Sequence, residues 1–542
     1  MSSETPPAPP PTPPAPEQGG RTDVEKVLLG RGEAAQRLSP AEERFEAARS
    51  RLGWFLAPTM ALVFALLPLD MDPTQQLLGA VLLGVIALWI CEPVPIPIGG
   101  LIGVAAIVVL GVAPSDEVLA PFGSTTVFTF IGAFILAQAM LQHGVARRLA
   151  FFVLALPGVG SSTLRIIVAF GAITCVVSSF ISNTATVAML LPTALGILTV
   201  IARLMQERGL VQPGFDPTRL RVGTALLLML AYGASVGGLL TPIGSPPNLI
   251  GRAMIEEATG QRISFVQWTL TALPAVLAMF VVLAVVLLLL NRPEIRRIEG
   301  VAEYIREQRA AQGPMSRAEK NTVFAFAVTV VLWLTPAFVG VAAGTESDVY
   351  ALVDDRLSEG IVAVMGAALL FVLPVSWKRR KMTMEWSDAA RIDWGTILLF
   401  GTGIIFGALL SSTGLAATIG EGASAGLGVT SPLAITAFGV VLAIVISETT
   451  SNTSAAAVVV PIIIPLAAGA GVDPFVPALA ATFAASFGFM LPVSTPQNAI
   501  VYGSGCVPIT KMIRSGIWFD VFGAVIIIAL VPVMVAVTGI AG

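Results

Sequence analysis

Ser182-Asn183-Thr184 and Ser451-Asn452-Thr453 are one polar triplet set twice into otherwise apolar sequence, and their reading decides the fold. Each has a serine four residues before its first member (Ser178, Ser447) and a proline eight residues after its threonine (Pro192, Pro461). Each is followed by a second interruption of related pattern. These are Thr241-Pro242-Ile243-Gly244-Ser245-Pro246-Pro247-Asn248 and Leu491-Pro492-Val493-Ser494-Thr495-Pro496-Gln497-Asn498. Hydrocarbon cannot hydrogen-bond hydroxyls, amides or the backbone that proline and glycine free, so such elements persist only where they line a cavity or bind something. A single triplet is as well explained by back-bonding within a helix or by helix-helix contact. The duplication, with its matched flanks, argues for two half-sites.

The surrounding sequence says what solvent those half-sites meet. Of 542 residues, 55% are hydrophobic and 12% charged, with mean hydropathy +0.85, too little polar surface for a soluble globule of this size. The chain therefore reads as an all-α polytopic membrane protein. A net charge of -3 gives no reason to expect a nucleic-acid partner. Cys91, Cys175 and Cys506 fall within or beside apolar segments and suggest neither disulfides nor a metal set. His143, the single histidine, sits where an apolar span meets Arg147-Arg148 and reads as an interfacial side chain. A membrane-embedded enzyme or a receptor would need a nucleophile-base pair, a metal set or a large ligand domain, so no enzyme is expected.

Segments of about the length that crosses a bilayer occupy 53-70, 75-91, 96-113, 124-142, 222-250, 264-291, 321-341, 360-376, 394-412, 475-503 and 515-540. Two others, 164-202 and 431-470, are nearly twice as long and carry the triplets near their middles. Read as re-entrant hairpins, they give about eleven transmembrane helices plus two hairpins. With the N-terminus cytoplasmic, all but Arg252, Arg262 and Arg356 of the 31 lysines and arginines fall inside, as the positive-inside rule requires. The C-terminus then ends outside. This layout makes the two long segments oppositely oriented, the inverted-repeat plan of secondary transporters with broken helices. Ahead of the first span, residues 1-21 read as a disordered Pro-rich cytoplasmic tail without a signal peptide. Residues 22-52 read as an interfacial segment whose short surface helix opens at a Ser39-Pro40-Ala41-Glu42 capping box.

Serine and threonine offer hydroxyls, and asparagine offers both donors and an acceptor. Helix ends at a hairpin tip leave carbonyls and N-H groups open. The oxygens suit a small hard cation, while N-H groups and positive helix ends suit a carboxylate or sulfate. No lysine or arginine lies in the four elements, so a bound anion needs its countercharge from elsewhere, and sodium can supply it. Glu448 stands as the one acidic residue deep in an apolar stretch and reads as a structural hydrogen-bond partner, with a role near the cation site as the competing reading. Glu92 reads as structural, at a span's cytoplasmic end.

Both triplets, the Gly244-to-Asn248 break, its counterpart Thr495-Pro496-Gln497-Asn498 and the stretch Glu92-Pro93-Val94-Pro95-Ile96-Pro97 together resemble the divalent anion:sodium symporter (DASS) family, over about residues 53 to 540. The resemblance implies a homodimer working as an elevator. Its scaffold domain would comprise 53-143 and 321-392, and its transport domain 160-291 and 431-540, each transport part a hairpin plus a broken helix. Residues 144-159 become an amphipathic connector, 292-320 a cytoplasmic linker, and 393-430 a span leading to the second hairpin.

Carried over residue by residue, the resemblance implies a first sodium site at Ser178, Ser182, Asn183 and the Gly244 backbone. A second falls at Ser447, Asn452 and carbonyls near Thr450 and Ser494, and substrate carboxylates meet Asn183, Thr184, Ser245, Asn452, Thr453, Thr495 and Pro496. Gln497 and Ser447 depart from the commoner pattern, Gln497 adding a polar group near the site. The expected activity is sodium-coupled symport of C4-dicarboxylates such as succinate, malate or fumarate across a cytoplasmic (inner) membrane. Dicarboxylate exchange without net sodium flux, or sodium-coupled transport of another divalent anion such as sulfate, is the alternative.

Overall fold

The computed structural model describes residues 40-211, 215-296, 300-344, 346-419, 422 and 431-541. The proline-rich tail and the Ser39 cap lie outside these residues. Where the sequence predicts a separate surface helix, the chain instead forms one continuous helix, α1 (Pro40–Leu66), because no breaker stands between its charged start and its apolar end except Pro58, which the helix absorbs. Then follow α2 (Pro73–Cys91), α3 (Ile96–Val109), α4 (Thr125–Gln142) and the short amphipathic α5 (Val145–Leu154). The first long segment is two helices, α6 (Thr163–Ser178) and α7 (Asn183–Glu207). The first broken helix is α8 (Arg221–Gly238) and α9 (Pro246–Thr259), and α10 (Phe265–Leu290) closes that half.

The order repeats after α11 (Val301–Ala311), α12 (Arg317–Ala343), α13 (Glu359–Val372) and α14 (Trp394–Ser412). A small antiparallel hairpin, β1 (Pro374–Ser376) with β2 (Lys381–Met382), lies between α13 and α14. The second long segment is α15 (Pro432–Thr449) and α16 (Asn452–Gly469), the second broken helix is α17 (Phe475–Ala484) and α18 (Pro496–Gly503), and α19 (Ile509–Thr538) ends the described chain. Ten of the described helices are long and apolar enough to cross a membrane, and four more apolar helices are shorter. Every apolar segment expected from sequence carries a helix.

Packing relates the halves. In both, the helix entering the triplet lies along the helix before the break, α6 on α8 and α15 on α17. The helices leaving the triplets cross over, so that α7 packs on α18 and α16 on α9. Each triplet is thus set against elements of both repeats. α8 is the centre, with 94% of its most apolar window buried, whereas the same measure is 17% for α12 and 22% for α19, whose apolar surfaces face outward as a bilayer demands. The triplet tips are interior: Ser178, Ser179 and Ser447 have no exposed surface, and Asn183 and Asn452 are buried. Ser182 and Thr449, beside them, are exposed. A second, smaller core joins α4, α12, α13 and α14 to one face of α9.

Candidate functional site

All four polar elements are helix starts. Ser182 caps α7 by accepting from Ala185 N at 3.3 Å, Ser451 caps α16 by accepting from Ser454 N at 3.2 Å, and Thr495 caps α18 by accepting from Asn498 N at 3.2 Å. Ser245 stands at the start of α9 without a side-chain cap bond. Four positive helix ends with their open N-H groups are therefore gathered in the interlocked core, which favours negative charge without any basic side chain. Arg252, four residues past the first break, does not change this. Buried at 6% exposure, it is matched by Glu256 at 2.8 Å and Glu359 at 2.9 Å, and the latter pair ties α9 to α13.

In the first repeat Ser178 Oγ donates to Asn183 Oδ1 at 2.6 Å. A methyl group at Gly238 would lie 2.5 Å from Asn183 Oδ1 and 3.2 Å from the Gly244 carbonyl, so only glycine lets α8 approach the triplet. Ser178, Asn183 and the Gly244 backbone are thereby brought together. Ser182 is exposed and engaged as a cap, apart from that group. In the second repeat Ser447 Oγ stands 2.8 Å from both Asn452 Oδ1 and the Ala485 carbonyl, and Asn452 Nδ2 donates to Ser486 O at 3.3 Å. One hydroxyl proton cannot serve two acceptors at once, so this oxygen-rich cluster suits a cation. Thr450 Oγ1 donates back to Ile446 O at 2.7 Å, leaving its carbonyl as its contribution to such a set. Among the described residues, the Thr184, Ser245 and Thr453 hydroxyls make no hydrogen bond to protein. Thr184 and Thr453 are half-buried, Ser245 is buried, and Pro496 is exposed at the start of α18.

Asn248 and Asn498 hold the breaks open in the same way. Asn248 Nδ2 donates to Gly238 O at 2.8 Å and Thr241 O at 2.9 Å, and Asn498 Nδ2 to Gly488 O at 2.8 Å and Leu491 O at 3.1 Å. Each amide replaces hydrogen bonds that the unwound backbone would otherwise lack inside the bilayer.

Glu448 is the structural partner that its position suggested. Its Oε1 accepts from Phe489 N at 2.5 Å and Met490 N at 2.8 Å, and its Oε2 from Ser494 Oγ at 2.9 Å. It is not the one buried acid, however. Asp520 of α19 is 5% exposed and lies near Glu448. Among the described residues no N-H or O-H group donates to either Asp520 oxygen. Gly516, one turn before it, packs on the Phe489-Met490 backbone, which aims Asp520 at the second break. Its sequence signal was available, since Asp520 is the only charged residue between Arg514 and the end of the chain.

Gln497 is 2% exposed and donates through Nε2 to Ser235 Oγ at 3.0 Å, joining the second break to α8 of the first repeat. Gln497→Ala should cost about 1 kcal/mol of stability, the net worth of one such bond, and change the transport KM by less than about fivefold. A larger change measured in reconstituted protein would return Gln497 to the substrate. Glu92 is structural as expected, ending α2 in a left-handed conformation (φ 47°), 3.5 Å from Arg49, and His143 Nε2 is 2.7 Å from Thr383 O. A cavity of about 530 Å³ lined by Arg252, Glu256, Ser264, Trp333 and Glu359 lies at the far end of α9 and includes no residue of the four elements.

Comparison with known proteins adds an independent line. The model of the sodium:sulfate symporter transmembrane region matches residues 50–537. The sodium-dependent dicarboxylate transporter SdcS of Staphylococcus saprophyticus subsp. saprophyticus is 31% identical over 488 residues, covering 89% of this chain and 91% of that protein. SdcS of Staphylococcus aureus strain bovine RF122 / ET3-1 is 31% identical over 497 residues, covering 90% and 92%. Among solved structures, the Alcanivorax borkumensis YdaH transporter aligns with 76% of this chain and 85% of its own at 14% identity and a TM-score of 0.46, too loose a likeness to place residues.

Proposed function

The chain belongs to the divalent anion:sodium symporter family, matched through its sodium:sulfate symporter transmembrane region, and from that premise we propose that it drives C4-dicarboxylates such as succinate, malate or fumarate into the cell on a sodium gradient. It is a transporter, not an enzyme, and a multi-pass membrane protein. The observation that carries the reading is the uncharged, oxygen-rich pairing of Ser447, Asn452 and the Ala485 carbonyl, with its counterpart at Ser178, Asn183 and Gly244, beside four helix N-termini. In this reading sodium binds first at those oxygens, with Ser182 and carbonyls near Thr450 and Ser494 completing the shells. The ion's charge then offsets the cost of bringing a dianion among uncharged groups. The carboxylates are received by Asn183, Thr184, Ser245, Asn452, Thr453, Thr495 and Pro496, the threonine and serine hydroxyls being uncommitted. The SdcS relatives, named as sodium-dependent dicarboxylate transporters, support this substrate class.

The rest of the reading concerns movement. A homodimeric scaffold (53-143 with 321-392) stays fixed in the cytoplasmic membrane while the interlocked repeats (160-291 with 431-540) travel as an elevator, with the N-terminus inside and the C-terminus outside. The interlocking of α7 with α18 and of α16 with α9 supports one moving body, and the Arg252–Glu359 pair is then a contact that each stroke must break.

Purified protein in liposomes tests the coupling. Labelled succinate uptake should rise with an inward sodium gradient and need no internal dicarboxylate. Uptake indifferent to sodium but dependent on internal dicarboxylate would replace symport by exchange, and competition by sulfate stronger than by malate would move the substrate to another divalent anion.

A further inference from the structure

The connector between α13 and α14 carries a feature that transport leaves unexplained. Val372 ends one apolar helix and Trp394 begins the next, so residues 373–393 lie at the membrane surface. Within them β1 and β2 pair antiparallel, Pro374 with Met382 and Ser376 with Lys381, and the turn between them presents Trp377, Lys378, Arg379 and Arg380. Lys378, Arg379, Arg380 and Lys381 are all exposed, and among the described residues none of them enters an ion pair. Four adjacent cations repel one another unless something neutralises them. Trp377 and Trp386, 72% and 68% exposed, flank the cations with the side chain that favours the headgroup layer.

The base of this hairpin is fixed. Asn321 Nδ2 donates to Pro374 O at 3.2 Å and Thr383 Oγ1 at 2.8 Å, Thr383 Oγ1 donates to Leu373 O at 2.8 Å, and Gln142 Nε2 donates to Asp388 Oδ2 at 2.7 Å. Thr383 and Met384 are 2% exposed, so a buried foot holds an exposed basic turn. Orienting the chain during insertion requires only positive charge in a loop. A folded, anchored hairpin goes beyond that requirement and holds the charges at one depth.

We propose that the Trp377-to-Lys381 hairpin binds anionic phospholipid headgroups of the adjoining leaflet, with the cations meeting phosphates and the two tryptophans seating at the headgroup level. Lipid bound there anchors the α13–α14 side of the protein in the membrane plane.

The probe is purified full-length protein in phosphatidylcholine vesicles with and without phosphatidylglycerol, read as lipid retained after detergent extraction and as the thermal transition. The wild type should retain phosphatidylglycerol over phosphatidylcholine by roughly tenfold or more, since each surface cation adds several-fold. K378Q/R379Q/R380Q/K381Q should lose most of that preference, R379K/R380K should keep it, and W377A/W386A should weaken it partly. Because the neutralised variant can insert wrongly, the wild type is also measured in salt high enough to shrink the screening length to about 3 Å, where the preference should collapse. A preference that survives high salt, or an equal preference in a correctly oriented neutralised variant, would overturn the proposal and leave the hairpin an insertion signal. A thermal shift of the same size with inorganic phosphate alone would overturn the lipid as ligand.

Discussion

Replacing Asn452 with alanine is expected to weaken sodium-driven uptake severely at unchanged expression, and Asn183→Ala to do the same. Each asparagine oxygen pairs with a fully buried serine, Asn183 with Ser178 at 2.6 Å and Asn452 with Ser447 at 2.8 Å. In the proposed reading one side chain serves both cation and anion. A contact to a charged partner is worth about 1.5–3 kcal/mol, so the sodium needed for half-maximal uptake should rise roughly 10- to 100-fold, with anion affinity falling alongside. The measurement is a sodium titration of succinate uptake in liposomes for each variant. Normal transport by both would remove the site assignment and leave the membrane architecture standing.

Glu448→Ala should be the most damaging single change outside the triplets. It takes the acceptor from the Phe489 and Met490 N-H groups, while the Ser494 hydroxyl keeps the Glu448 carbonyl at 3.0 Å. Each buried donor left unpaired costs about 1–3 kcal/mol, so the two together take a large part of the stability margin of a typical domain. The second break should lose its shape, with uptake lost and the thermal transition lowered. Glu448→Gln separates shape from charge. Its amide oxygen can still accept from both N-H groups, and its NH₂ can turn toward Asp520, to which none of the described N-H or O-H groups donates. The glutamine variant should therefore keep a near-normal transition. If it unfolds as alanine does, the negative charge itself holds the break; if alanine is tolerated, these hydrogen bonds do not position the site.

The membrane class, the helical segments and both interruptions could be read from residue order because hydrocarbon leaves so few ways to satisfy polar groups. The triplets were legible for that reason, as were Asn248 and Asn498, which recur at matched places. The surface helix before the first span was misread because a capping pattern says where a helix starts and nothing about where it stops; α1 continues to Leu66. The partner of Gln497 was not legible because Ser235 lies in the other repeat. Asp520 was passed over because it is far along the chain from Glu448.

By itself, then, the sequence determined that this is a polytopic helical membrane protein with two duplicated, uncharged polar breaks. Only the tertiary structure decided how those breaks are closed. The two repeats exchange their exit helices, α7 onto α18 and α16 onto α9, Gln497 reaches Ser235 across them, and within the second repeat the packing of α15 on α17 gives the Ala485 carbonyl and Glu448 their partners. The physical reason is range. Burial and helix breaking are properties of a residue and its near neighbours, whereas a hydrogen bond in a dry interior depends on which distant segment comes to lie beside it.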